Sequence, residues 1–81
     1  MFYNNTNNHI IINSSYNNLE LDQLDLDVYN IMGKLIYNNT ILKLQLGTNE
    51  YEIPDIPPCV YYVLLKNKQS VIISKTMFLR D

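Results

Sequence analysis

Along the chain, apolar and polar positions alternate in short runs, and the clearest run is LDLDVYNIMGKLIY, from Leu24 to Tyr37. In its first arm Leu24, Leu26 and Val28 alternate with Asp25, Asp27 and Tyr29. A period of two puts the aliphatics on one face of a half-buried strand and the carboxylates on the other. The alternation breaks at Asn30-Ile31-Met32-Gly33, where Gly33 can take the positive φ that a tight reversal requires. Leu35 and Tyr37 then resume an apolar face. This predicts a hairpin with Lys34 just past its turn.

The remaining segments follow the same logic. His9–Asn13 (HIIIN) reads as a short strand, Ser14–Asn18 as a turn, and Leu19 and Leu21 as the start of the alternation that enters the hairpin. Asn38-Asn39 reads as a turn, after which Ile41, Leu42, Leu44 and Leu46 alternate loosely up to Gly47. Gly47-Thr48-Asn49 is a second turn signal and Glu50–Ile53 a short strand. Pro54, Pro57 and Pro58 then remove ladder donors and force an extended connection. Val60–Lys66 (VYYVLLK) is apolar on both faces, as a central strand covered on both sides is. Asn67-Lys68 suits a two-residue type I′ turn into a closing strand over Gln69–Leu79. Met1–Asn8 is polar apart from Phe2 and Tyr3, and reads as a flexible lead-in or the end of a linker.

No segment has apolar residues at helical spacing over three turns, so the expected fold is an all-β antiparallel sandwich of about seven strands over residues 9–81. Its expected core contains Leu26, Val28, Leu35, Ile53, Tyr61, Val63 and Leu65.

Length and composition narrow the function. Eighty-one residues make one domain with a modest core, in which a deep catalytic cleft is not expected. A net charge of −2 argues against a nucleic-acid surface, although residues 1–33 hold four carboxylates and no base while residues 56–81 are mildly basic. Asp25 and Asp27 sit two apart on the wet face of a strand, where they read as solubilising, and nothing near them completes a metal shell. Cys59, the only cysteine, cannot form an internal disulfide and reads as a small buried residue. His9 reads as a surface or partly buried residue. Asparagine pairs mark loops, and the Asn-x-Ser/Thr triplets they create read as chance. No nucleophile elbow, metal-ligand spacing or phosphate loop is present, so neither an enzyme nor a cofactor is expected. No apolar run is long enough to span a membrane, and Met1 is not followed by a signal-peptide core.

Four pieces stand in a telling order: LDVYNIMGKLIY, LQLGTNEYEI, IPPCVYYVLL and ISKTMFLRD. Together they resemble the type A carboxy-terminal sorting domain of the type IX secretion system of Bacteroidetes, across nearly the whole chain. Members read as a hairpin with a G-K/R turn, an L-x-x-G-x-N turn, an L-P-x-G-V-Y strand and a closing Lys-containing apolar strand. Cys59 stands where the family usually has glycine.

The resemblance implies an immunoglobulin-like signal domain that follows a cargo domain in its parent protein. The outer-membrane translocation machinery recognises it, and a sortase-like protease then removes it. It also implies passage through the periplasm to the cell surface or medium, with no nucleic acid and no membrane insertion. On matching motifs it points to Gly33, Lys34, Gly47, Tyr61, Lys75, Leu79 and Arg80 as recognition positions. The closing strand is accordingly expected at the surface, with Lys75 and Arg80 in solvent and its apolar residues holding the sheet. The competing reading is a generic adhesive or carbohydrate-binding sandwich module, for which Tyr16, Tyr29 and Tyr62 are the candidate contacts; packing is the simpler role for tyrosines on alternating positions.

Overall fold

The computed structural model describes residues 1–14 and 22–81, so the expected turn at Ser14–Asn18 and Tyr16 lie largely or wholly outside the described residues. Among the described residues seven strands form and there is no helix: β1 (Phe2–Asn4), β2 (His9–Ser14), β3 (Asp22–Asn30), β4 (Leu35–Lys43), β5 (Gly47–Glu52), β6 (Cys59–Lys66) and β7 (Ile72–Arg80). They make a three-stranded sheet in the order β1-β2-β5 and a four-stranded sheet in the order β4-β3-β6-β7, with every neighbouring pair antiparallel. The two sheets pack as a sandwich over Ile10 and Ile12 from one side and Leu24, Leu26, Val28 and Val63 from the other.

Where a lead-in is expected, Phe2–Asn4 instead pairs with β2, and Tyr3 stacks on Phe78 at 4.0 Å between ring centroids. Two aromatic side chains in contact explain why this short polar segment docks. Asn38-Asn39, expected as a turn, lies inside β4 opposite Asp27 and Leu26. Asparagine is a poor strand former, but Asn38 is held there by its bond to a carboxylate on the adjacent strand.

Six of the seven expected core residues are buried; the exception is Leu35, which is 47% exposed. Its reason is a bulge: Val28 pairs with Tyr37 but Tyr29 pairs with Leu35, so Ile36 is one residue too many and the strand's facing slips. Leu35 turns outward while Ile36 and Tyr37 pack on the core.

The second hairpin repeats this plan. Asn30 and Asn67 each accept backbone N–H groups two and four residues on through Oδ1. In each turn the residue three positions on, Gly33 or Ser70, has positive φ (81° and 63°) and donates to the asparagine carbonyl. Six positions on, Ile36 or Ile73 is the bulged residue. The β6–β7 connection is therefore a longer turn closed by Asn67 and Val71, not the two-residue type I′ turn expected, and β7 starts at Ile72.

Candidate recognition face

The outer face of the four-stranded sheet is built by alternation. Residues on β3 that leave Leu24, Leu26 and Val28 inside send Asp25, Asp27 and Tyr29 out, and on β6 the same rule sends out Val60, Tyr62, Leu64 and Lys66. Register then places Leu35, Tyr29, Tyr62 and Met77 opposite one another across all four strands, with Asn38, Asp27, Leu64 and Lys75 in the next row. β6 is thus central but covered on one side only; Tyr62 is 44% exposed, unlike the doubly covered strand expected. Two adjoining shallow hollows open on this face. One is lined by Tyr29, Ile31, Gly33, Tyr62 and Leu64, and the other by Tyr62, Leu64, Lys75, Thr76 and Met77.

Asp27 corrects the solubilising reading of that carboxylate: it is buried despite its outward register. Lys66 Nζ lies 2.7 Å from Oδ2, Tyr29 donates its hydroxyl to the same oxygen at 3.1 Å, and Asn38 Nδ2 donates to Oδ1 at 2.6 Å. Lys66 stands opposite Asp25, so it reaches Asp27 along the diagonal of the ladder. Burial pushes the Asp27 carboxyl up, but the bonds from Lys66, Asn38 and Tyr29, together with the Lys66 charge, outweigh it and hold the group below its ordinary value. Lys66 is correspondingly raised, chiefly by its bond to Asp27.

The family-matched positions divide by role. Gly33 is a turn residue at φ 81°, with Lys34 exposed beside it, whereas Gly47, at φ 94°, opens β5 opposite Ser14, so the expected Gly47-Thr48-Asn49 turn is strand. Tyr61 is buried, stacks on Phe78 and donates its hydroxyl to the Pro57 carbonyl four residues upstream, a corner that fixes the entry into β6. Burial pushes its hydroxyl pKa up, which keeps it a donor. Lys75 and Leu79 are exposed on the outer side of β7 and lie near Met77.

Arg80 departs from expectation. It points inward, donating from Nη1 to Tyr3 Oη and Asn8 Oδ1 at 3.0 Å each and from Nε to the Ile56 carbonyl at 3.1 Å, and pairing with Asp55 at 2.8 Å. A guanidinium with several donors in a fixed fork suits such a hub, so Arg80 is a clamp, not a solvated charge. Asn8, at φ 60°, completes it by donating to the Ile53 and Pro54 carbonyls and accepting from Tyr3. Sequence reading missed Tyr3 and Asn8, whose partners lie up to 77 residues away. No periodicity reports a contact of that span.

No curated protein and no solved structure matches the chain. A family model does, over residues 1–78 of the 81, and its description is the secretion system C-terminal sorting domain. That match takes in both hairpins, the Pro57–Tyr61 corner and the outer row from Leu35 to Met77. The chain belongs to the secretion system C-terminal sorting domain family, whose members are secretion signals of the type IX system.

Proposed function

We propose that this domain carries a cargo protein, joined at its amino-terminal side, through the periplasm to the outer-membrane translocation machinery of the type IX system. There it is read without any catalysis of its own, and a sortase-like protease then separates it from the cargo. Family membership carries this reading, and the structure supports it by offering a ready-made surface: an apolar row across the four-stranded sheet with Lys75 and Leu79 beside it. Of the family-matched positions, Lys34, Lys75 and Leu79 are exposed side chains available to a reader, whereas Gly33, Gly47, Tyr61 and Arg80 act through the fold.

The test fuses residues 1–81 behind a signal peptide and a reporter in a Bacteroidetes host. The full fusion is expected at the cell surface or in the medium. A version lacking residues 75–81 is expected in the periplasm. Lys75→Ala, which breaks no side-chain bond among the described residues, separates loss of recognition from loss of folding, with thermal melting run beside it. A folded full-length fusion that never crosses the outer membrane would overturn the reading.

A further inference from the structure

β7 is patterned the wrong way round for an edge strand of a finished sandwich. Facing the three-stranded sheet it presents Ser74, Thr76 and Arg80 alongside Phe78, and facing outward it presents Lys75, Met77 and Leu79, the last two 61% and 59% exposed. The other sheet edges are blunted in ways that discourage pairing. β1 has three residues. β5 carries Glu50 and Glu52. β4 is also nine residues long and exposes Leu35 and Leu42, but Asn38, Asn39 and Thr40 interrupt it, and its outward Asn38 and Thr40 are already bonded to Asp27 and Asp25. β7 is nine residues long, pairs on one side with β6, and its other row of N–H and C=O groups is unpaired among the described residues.

We propose that the free edge of β7 receives an extended strand of another protein, added antiparallel to the sheet, with a carboxylate facing Lys75 and apolar residues beside Met77 and Leu79. This rests on the sorting reading and identifies how that signal is gripped. Lys75 has no carboxylate partner among the described residues, and it stands one residue from the centre of β7. That position selects the occupant. Two copies of β7 joined edge to edge bring their Lys75 ammonium groups close together, whereas an acidic strand is drawn to them. The hollow lined by Tyr62, Leu64, Lys75, Thr76 and Met77 opens at the same edge and accepts one apolar side chain of the incoming strand.

The probe is a synthetic ten-residue peptide of alternating valine and threonine with one central glutamate, titrated into the isotopically labelled 81-residue chain and followed by NMR. Amide shifts are expected to concentrate on Ile72–Arg80. Methylating the peptide nitrogens on the ladder side lowers affinity by about tenfold or more, while methylating the alternate set changes it little, because main-chain bonds carry strand addition. Lys75→Glu weakens binding, and exchanging the peptide's glutamate for lysine restores it. Shifts centred on β4, binding indifferent to which nitrogens are methylated, dimerisation of the free chain through β7, or no binding at millimolar peptide would each overturn the proposal. In the reporter fusion, Lys75→Glu is expected to stay folded and lose export; export equal to the parent overturns the assignment of this edge to the signal. Failure of the parent fusion itself strikes the sorting reading alone, since the peptide experiment reads the edge independently.

Discussion

At the scale of single residues, burial and pairing decide what each side chain does. Val63 is fully enclosed between the sheets, so Val63→Ala is expected to cost about 1 to 3 kcal/mol in denaturant unfolding, from lost methyl burial and the cavity left behind. Asp27 gives a pH signature. Its carboxyl is held below its ordinary value of 3.8, so it contributes stability that is complete above that value and is lost as acid takes the pH down through the lowered pKa. Melting temperature should therefore fall on acidification from about pH 6 to about pH 2, and Asp27→Asn should flatten part of that fall while lowering stability at neutral pH. Alternation placed Asp27 on the outer face correctly. It could not show that Lys66, Tyr29 and Asn38 close over it, because those contacts come from three positions on three strands.

At the scale of elements, two hairpins share one turn, and they differ in the residue at its strained position. Glycine occupies that position in the first and serine in the second, where a left-handed backbone costs an L side chain about 1 kcal/mol. Ser70→Gly is expected to hold or raise stability by up to about 1 kcal/mol, and Gly33→Val to lower it by about 1 kcal/mol or more, both read from urea midpoints at constant slope. A Gly33→Val variant as stable as the parent would remove the link between φ and turn strength. The strands themselves were legible wherever one face was apolar, from Leu24 to Val28 and from Tyr61 to Leu65. Facing beyond each turn was not, because a single extra residue at Ile36 or Ile73 reverses inside and outside without disturbing the apolar count. Leu35 was misplaced for that reason. Ser70 lacks the glycine that marks Gly33, so the second turn was read as shorter than it is.

At the scale of the whole molecule, the sandwich is closed by contacts between its first strand and its last. Arg80→Ala and Asn8→Ala are each expected to lower the melting temperature and to strip hydrogen-exchange protection from β1 before the four-stranded sheet is affected. Equal loss of protection in both sheets would contradict that order. The two-sheet sandwich of about seven strands and the family's motif order could be read from sequence, since each rests on local pattern, although β1 was read as a lead-in and β4 as broken at Asn38-Asn39. The clamp could not, being a meeting of Tyr3, Asn8, Asp55 and Arg80. It also sets a rule of timing. During synthesis β1 emerges before β7, and loop closure over so long a separation comes late. Until residue 80 has emerged, Tyr3 and Asn8 lack the guanidinium that ties them to the last strand, and the edge strand beyond β6 is incomplete. Completion of the fold therefore waits for the last residues of β7, and a domain cut short before Arg80 cannot counterfeit it.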